Sequence, residues 1–385
     1  MKRNWTAPTL LVLLAALALS ACSPQRGLEA WALLDDLAAG DGPSRLKETT
    51  SEPRRQAVAY EIVGQGYRGD LYRPAEGPGA PLVLVPGAAP EGKDDPRLVA
   101  TARSLARVRF TVLVPDIENL RRLHVSAADA REIAAAVRHL AIREGTGDAK
   151  VGIVAISYAA GPAMIAALTP PARDFVRFVV TIGGYYDLEA VVAFFTTGRY
   201  REAPTAPWQY RRPNAYGKWV FLRSNAWRVE EPRDRVLLDA MAARKLRNLD
   251  ADIDDLIPRL GPEGRAVHAL LANRDPDRVP ALIAALPALV GSEIAALDLK
   301  RRDLAALEAE VILVHGRDDP IIPETESMAL AAALPEGRAR LYLADNLAHA
   351  DLAPAGPGDS LVLWRAALRL LELRDSLLTA GNGET

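Results

Sequence analysis

The apolar residues of the chain fall into short continuous runs and longer runs with helical spacing. The short runs, such as Pro81–Pro86, are apolar throughout, as expected of strands buried on both faces of a sheet. The longer runs, such as Ala127–Arg143, repeat their apolar residues along one helix face. Alternation of the two kinds predicts an α/β fold with a mostly parallel sheet flanked by helices.

The pattern assigns most of the chain to such elements. The predicted strands are Ala57–Val63, Tyr67–Tyr72, Pro81–Pro86, Phe110–Val114, Lys150–Ile156, Phe175–Ile182, Glu310–Val314 and Ala339–Leu343. The predicted helices between and after them are Asp95–Arg107, Ala127–Arg143, Tyr158–Leu168, Glu324–Leu334 and Leu361–Leu378. Gly64 and Gly66 separate the first two strands, which makes those strands a candidate antiparallel pair.

The alternation stops at Gly183-Gly184 and resumes at Glu310. Residues 185–302 show helical segments without a convincing strand. A helical cap inserted before the penultimate strand accounts for this most simply, so residues 56–184 and 303–379 would form one core. Residues 22–55 are polar and Ala-rich, with helical spacing only near Leu28–Leu37, and are predicted to be a tether.

The N-terminus has the features of a signal peptide over residues 1–21. Lys2-Arg3 precedes an apolar run, Leu10–Ala21, which is too short to span a membrane as a mature helix. The next residue, Cys22, is the single cysteine of the chain. The sequence Leu19-Ser20-Ala21-Cys22 resembles the lipobox of bacterial lipoproteins; the alternative is an ordinary signal peptide with a chance cysteine.

The lipobox resemblance implies cleavage before Cys22 and acylation of its thiol by lipid chains. The protein would then be held at a membrane by these chains, on the periplasmic side of a bacterial cell envelope. Ser23, by resemblance to lipoprotein sorting patterns, favours the outer membrane.

Composition narrows the function classes. The chain has 385 residues, 49% hydrophobic and 25% charged, with a formal net charge of −2, which is typical of a globular protein. Basic residues are scattered among acidic ones, which argues against nucleic acid as a partner. A single cysteine excludes an intrachain disulfide and a cysteine-based metal cluster. The absence of a P-loop, an HExxH motif and a Gly-rich dinucleotide turn implies no cofactor and no metal.

The most informative motif is Ala155-Ile156-Ser157-Tyr158-Ala159, where an apolar strand runs into a serine and then a helix. A nucleophile on such a sharp turn needs small residues two positions before and after it, and both are alanine here. The helix N-terminus behind Ser157 would offer N–H groups to a developing oxyanion. The alternative interpretation is a plain helix N-cap serine.

A serine nucleophile needs a histidine base. Of the five histidines, His349 lies in a loop directly after the last predicted strand, where α/β sheets place functional groups. Asp318 and Asp319 follow the strand that ends near His315. The chain order Ser, Asp, His is the one found in α/β-hydrolase sheets. An exposed loop histidine remains the alternative for His349.

From Gln56 to Leu378 the chain resembles the α/β-hydrolases, in the style of the esterase and dienelactone-hydrolase-like groups. The run His315-Gly-Arg-Asp-Asp319-Pro-Ile-Ile-Pro323 resembles the family's acid turn, in which the Asp before Pro is catalytic. This implies Asp319 as the acid, Asp318 as a neighbour or surface charge, and His315 as structural. Asp187 is a second candidate acid, since some members take the acid from the end of the preceding strand.

The resemblance also implies the oxyanion donors, namely the N–H of Tyr158 and the N–H of Ala88, in a loop where Pro86 stands in place of the family's His. The implied function is a serine hydrolase that cleaves an ester or related acyl bond of a small-molecule or lipid-like substrate through an acyl-enzyme. An acyltransferase or a serine peptidase on the same fold is an alternative, as is a non-catalytic binding lipoprotein with a vestigial triad.

The predicted cap is rich in aromatic residues. Nine of them lie between positions 194 and 227: Phe194, Phe195, Tyr200, Trp208, Tyr210, Tyr216, Trp219, Phe221 and Trp227. Two roles are open for these rings. Some of them could line an apolar substrate pocket, or together they could form the small core of the cap.

Overall fold

The computed structural model describes residues 24–143, 149–170, 172–345, 347 and 356–381. These residues form an eight-stranded sheet with apolar clusters packed on both of its faces. The predicted signal peptide, Cys22 and His349 lie outside the described residues.

The strands follow the predicted positions closely. In chain order they are β1 Arg54–Ile62, β2 Gln65–Arg73, β3 Ala80–Val85, β4 Phe110–Pro115, β5 Val151–Ile156, β6 Val176–Ile182, β7 Arg199–Tyr200, β8 Gln209–Tyr210, β9 Glu310–Gly316 and β10 Ala339–Ala344. All residues of β3, β4 and β9 are buried, which explains their continuous apolar runs.

The helices account for most of the remaining chain. They are α1 Pro24–Ala39, α2 Arg45–Thr49, α3 Pro96–Arg107, α4 Glu118–Arg121, α5 Asp129–Arg143, α6 Ala160–Leu168, α7 Leu188–Thr197, α8 Ala215–Ala226, α9 Pro232–Arg247, α10 Pro262–Ala272, α11 Val279–Ala284, α12 Ala288–Leu297, α13 Thr325–Ala333 and α14 Pro357–Gly381. Short 3₁₀ turns connect several of them.

The large sheet has the strand order β1-β2-β4-β3-β5-β6-β9-β10. β1 pairs with β2 and β2 pairs with β4 antiparallel, and every other pairing in this sheet is parallel. The predicted mostly parallel sheet and the predicted antiparallel pair at its start are confirmed. Because β3, β5, β6, β9 and β10 run in the same direction, the segments that follow them meet at one edge of the sheet.

The segment between β6 and β9 consists mainly of helices, α7 to α12, as expected for the predicted cap before the penultimate strand. It also holds a ladder that the sequence did not predict, between Arg199–Tyr200 and Gln209–Tyr210. Ladders of two residues leave no periodic signal in a sequence. Among the described residues, no single helix is long and apolar enough to cross a membrane, although the bent pair Pro276–Ala284 and Ala288–Leu297 passes on length and composition.

The N-terminal segment differs from the predicted tether. Residues 24–49 form α1 and α2, and α1 buries Ala30, Leu33 and Leu34 against the helices of the core. The indole Nε1 of Trp364, on α14, donates to the carbonyl oxygen of Gly27 at 2.9 Å. The apolar stripe of α1 is too narrow to stand out in an Ala-rich, polar segment, and its partner helix lies more than 300 residues away.

A buried carboxyl joins α13 to the chain that follows β6. Glu326 is 3% exposed, and its Oε2 accepts the N–H groups of Tyr186 at 2.9 Å and Asp187 at 2.7 Å. Burial raises the pKa of Glu326 to about 8, against the opposing effect of these two hydrogen bonds. Sequence reasoning missed this role, because Glu326 looks like an ordinary first-turn residue of α13.

Replacing Leu33 with Ala should lower the free energy of unfolding by about 2–5 kcal/mol, because the leucine is 1% exposed and its loss leaves a cavity. Leu28, which is 69% exposed on the same helix, is the control. Leu28→Ala should change the stability by less than about 0.5 kcal/mol. Denaturant unfolding of both variants measures the difference, and equal effects would mean that α1 does not pack on the core.

The Glu326→Gln variant should lose less stability than the wild type as the pH rises from 5 to 9. Below the ordinary Glu pKa the carboxyl is protonated in both states, so it has no pH-dependent effect. At higher pH the unfolded chain releases its proton first, and native stability falls until about pH 8, by roughly 1.4 kcal/mol for each unit by which the pKa is raised. Urea denaturation at a series of pH values measures this, and parallel curves would refute it.

Candidate active site

Ser157 stands at the carboxyl end of β5 with a left-handed backbone, φ +58°. The preceding residue, Ile156, is extended, and a 3₁₀ turn from Ser157 to Ala159 leads into α6. A non-glycine residue in this region of backbone space costs about 1–3 kcal/mol and persists only where the surroundings enforce it. A plain N-cap serine has an extended backbone, so this conformation favours the nucleophile turn over the N-cap interpretation.

The turn around Ser157 is tightly enclosed. Ala155 and Ala159 are both fully buried, as the two positions flanking such a turn require. Gly161 also has no room for a side chain, since a Cβ there would lie 1.9 Å from the hydroxyl oxygen of Tyr185. Small residues therefore allow the start of α6 to approach β6 closely enough to hold the turn.

The loop after β3 lies beside this turn. A Cβ on Gly87 would be 3.8 Å from the carbonyl oxygen of Ile156, which is ordinary contact distance. Ala88, the next residue, is partly buried against the larger apolar cluster. The loop predicted to supply the second oxyanion donor is thus next to Ser157. Gly87 does not have a left-handed backbone, and a side chain at this position would meet no close contact, so the structure does not require glycine there.

Asp319 lies in the turn after β9 and is fully buried. Its Oδ1 accepts the N–H groups of Ile321 at 2.8 Å and Ile322 at 3.1 Å, which fixes the orientation of the carboxylate. Asp318, in contrast, is exposed. Of the two adjacent carboxyls, only Asp319 is therefore placed and held as an orienting acid would be.

His315 is buried with both ring nitrogens engaged. Its Nδ1 lies 2.7 Å from the hydroxyl of Ser327, and its Nε2 lies 2.9 Å from the carbonyl oxygen of Ile322. A carbonyl only accepts, so Nε2 carries the proton and Nδ1 accepts from Ser327. This arrangement supports the structural role that the resemblance implied for His315.

Asp187, the second candidate acid, has a structural role in helix capping and in an ion pair. Its Oδ1 accepts the N–H groups of Glu189 at 3.0 Å and Ala190 at 3.2 Å, so it is the N-cap of α7. Its Oδ2 pairs with the ammonium group of Lys300 at 2.7 Å. These contacts explain the carboxyl without a catalytic role.

His349 lies outside the described residues, but Leu347 two positions before it is described. Leu347 is 2% exposed, and a Cβ on Gly316 would lie 1.8 Å from its carbonyl oxygen. The N–H of Arg317 donates to the carbonyl of Ala344, at the end of β10, at 2.7 Å. The chain leading to His349 thus packs directly on the turn that carries Asp319, and only glycine at position 316 permits this contact.

The cap is bonded to the acid turn. The guanidinium of Arg211 donates to the carbonyl oxygen of Asp319 at 3.0 Å and to the carboxylate of Glu324 at 2.9 Å. The N–H of Asn214 donates to the carbonyl oxygen of Pro320 at 2.7 Å. Sequence reasoning missed Arg211, because its partners lie more than 100 residues further along the chain and no local pattern connects them.

The cap also covers the residue after the nucleophile. A Cβ on Gly217, in α8, would lie 3.4 Å from the hydroxyl oxygen of Tyr158. This hydroxyl is buried and has no hydrogen-bond partner among the described residues. Burial raises the pKa of Tyr158 well above its usual range, an effect to which the charge of Asp319 adds. The phenol therefore keeps its proton and can donate it in a hydrogen bond.

A cavity of about 30 Å³ lies between α8, α12 and the core, and Tyr158, Tyr185 and Phe221 form part of its wall. Phe221 is the cap aromatic ring that reaches it. Phe195 packs against Phe221 in a tilted arrangement with 5.2 Å between ring centroids, and Phe194 packs edge-on against Tyr200 at 5.8 Å. Most of the buried cap rings thus belong to the core of the cap, and one of them contacts the cavity.

Among the described residues, no group of three His, Cys, Asp or Glu side chains is arranged to hold a metal ion.

No protein-family model matches the chain, and no curated protein matches it. Solved structures do match. A hydrolase, so named, from Legionella pneumophila matches with a TM-score of 0.53 and 14% identity, over 88% of this chain and 94% of that one.

Two further structures extend this comparison. A point mutant of the rice cell wall degrading esterase LipA from Xanthomonas oryzae matches with a TM-score of 0.52 and 15% identity, over 85% of this chain and 90% of that one. An acylaminoacyl peptidase from Pyrococcus horikoshii matches with a TM-score of 0.46 and 10% identity over 85% of this chain. The chain spans 43% of the length of that peptidase.

At 14% and 15% sequence identity, the first two matches are evidence for the fold alone. Both cover most of this chain at TM-scores above 0.5, in agreement with the mostly parallel sheet flanked by helices. The chain has the α/β-hydrolase fold.

Proposed function

We propose that the protein is a serine hydrolase that cleaves an ester or related acyl bond through an acyl-enzyme. The Oγ of Ser157 attacks the substrate carbonyl while His349 accepts its proton. The tetrahedral oxyanion is held by the N–H groups of Tyr158 and Ala88, and collapse releases the alcohol with the proton from His349. Water then attacks the acyl-serine, again with His349 as the base, which frees the acid and restores Ser157.

The left-handed backbone of Ser157 is the observation that carries this proposal. Such strain in a non-glycine residue is expected where a hydroxyl must be presented above the end of a strand, with N–H groups of the following helix behind it.

The acid turn supports the same mechanism. The carboxylate of Asp319 is buried and its Oδ1 is held by two N–H groups, while its Oδ2 lies 3.4 Å from Nε2 of the buried His315. In the proposed mechanism the same carboxylate also faces the imidazole of the catalytic base. A carboxylate in that position orients the histidine and stabilises the imidazolium that forms during catalysis. The contact between Leu347 and Gly316 favours His349 as that histidine, since two residues span at most about 7 Å.

The cavity beside Tyr158 bears on the substrate. A volume of about 30 Å³ holds one or two water molecules, and its wall is mostly apolar. Because α8 covers Tyr158 and leaves only this small space beside the residue that follows Ser157, we infer a preference for short acyl groups. An alcohol or amine in place of water as the acceptor would make the protein an acyltransferase, and an amide substrate would make it a peptidase.

We further propose that acyl chains on Cys22 hold the protein at the periplasmic side of a bacterial membrane, as the lipobox-like sequence predicts. The anchor is independent of the catalytic proposal.

The Ser157→Ala variant should fold like the wild type and lose its esterase activity by at least about a thousandfold, because the attacking oxygen is gone. A fluorophosphonate probe should label the wild type and not the variant. Turnover of p-nitrophenyl esters of graded chain length should decrease from acetate to decanoate. An unlabelled wild type with an intact fold would favour the binding lipoprotein with a vestigial triad.

Asp319→Asn should reduce kcat by about 10⁴-fold with little change in KM, because the amide can still accept the two N–H groups but no longer balances an imidazolium. Asp318→Asn is a matched control at the adjacent, exposed position and should keep its activity within about threefold. Similar losses in both variants would remove Asp319 from the mechanism.

A further inference from the structure

A groove of about 830 Å³ opens on the side of the molecule away from Ser157. The N-terminal helices α1 and α2 form one wall, and the ends of α3 and α14 form the other. Arg107 ends α3 and Arg109 directly precedes β4, so this basal groove lies at the amino-terminal edge of the sheet. Ser157 follows the carboxyl end of β5, which runs in the same direction as β4.

The basal groove exposes two large apolar side chains on one helix face. Leu28 is 69% exposed and Trp31 is 44% exposed, and they are three positions apart on α1. The ring of Trp31 stacks on that of Trp364 with 6.1 Å between centroids. It is therefore held in place at the surface.

The charge at the basal groove is mixed, with five arginines and three carboxylates in its lining. Asp375 pairs with Arg26 at 2.8 Å and with Arg374 at 2.7 Å, so these groups largely balance one another. Arg45 and Arg109 are exposed and form no ion pair within the described part of the chain. Their guanidinium groups remain available for an anionic surface.

The position of the groove along the chain indicates what covers it. Its lining begins at Gln25, three residues after Cys22, and three residues span at most about 10 Å. Lipid chains on Cys22 would bring a bilayer surface within that distance. Tryptophan at the surface, a leucine beside it and free arginines are the side chains that settle at a membrane interface with anionic lipid.

We propose that the basal groove, with Leu28, Trp31, Arg45 and Arg109, is a membrane-contact surface that lies on an anionic bilayer. The orientation that this contact gives the protein depends on the acyl anchor at Cys22, which is part of the proposed function. Because the groove and Ser157 lie at opposite edges of the sheet, the contact turns the active site toward the aqueous phase. The enzyme then takes its substrate from solution and not from the bilayer.

Contact by Trp31 can be measured with lipids that quench tryptophan. The processed, acylated protein, which begins at Cys22, is reconstituted in vesicles of phosphatidylethanolamine and phosphatidylglycerol with brominated acyl chains. Replacing Trp31 with Phe should abolish most of the quenching. Trp227→Phe is the matched control, since this tryptophan is 49% exposed and ends α8 in the cap, and it should leave quenching unchanged. Quenching lost only in the Trp227→Phe variant would mean that the cap faces the membrane, which overturns the proposal.

A second measurement does not depend on acylation. The Cys22→Ser protein that begins at position 22, without the predicted signal peptide, should bind vesicles that contain phosphatidylglycerol and not vesicles of phosphatidylcholine alone. Adding Arg45→Glu and Arg109→Glu should weaken this binding at least tenfold. Equal binding with and without the two charge reversals would overturn the proposal. Dimerisation that depends on these arginines, seen by sedimentation without lipid, would also overturn it, because a second copy would then cover the groove.

Hydrolysis of a soluble p-nitrophenyl ester by the same variants separates this inference from the proposed function. The surface variants should keep the wild-type rate, since none of them contacts the site. A wild type without esterase activity that still binds vesicles through Arg45 and Arg109 would refute the catalytic proposal and leave the membrane contact standing.

Discussion

The backbone of Ser157 is the constraint on which the arrangement of the site depends. Its left-handed conformation is unfavourable by about 1–3 kcal/mol, so the surrounding structure must enforce it. Buried strands on both sides of β5 fix the chain before the turn, and close packing of Gly161 on Tyr185 fixes the chain after it. The sheet and α6 therefore hold the hydroxyl group of Ser157 in one position.

Buried polar contacts connect the cap and α13 to the loops at the carboxyl edge of the sheet. Arg211 bonds the cap to the acid turn, and Glu326 bonds α13 to the chain after β6. Arg211 donates to main-chain carbonyl groups and Glu326 accepts from main-chain N–H groups, so these buried polar groups have hydrogen-bond partners. The loops at the carboxyl edge of the sheet are thus held by hydrogen bonds, while apolar packing holds the strands beneath them.

The sequence predicted the strands well, because β3, β4 and β9 are buried on both faces and leave unbroken apolar runs. It also indicated the strand-to-helix turn at Ser157 and the turn after β9 that holds Asp319, since both turns have local signatures. The catalytic roles of the two residues remain predictions. The packing of α1 and the contacts of Arg211 were not predictable, because both depend on partners distant in the chain. His349 remains a prediction that rests on its position after β10.

The hydrogen bond from Arg211 to the carbonyl of Asp319 has a consequence for how substrate enters. If the cap moved as a rigid unit, it would pull on the turn that carries Asp319 and would displace its carboxylate. Entry through a side opening, with the cap stationary, avoids this difficulty. The hydrogen bond between the cap and the acid turn thus favours a cap that stays in place, with an opening that admits small ligands and excludes bulky ones.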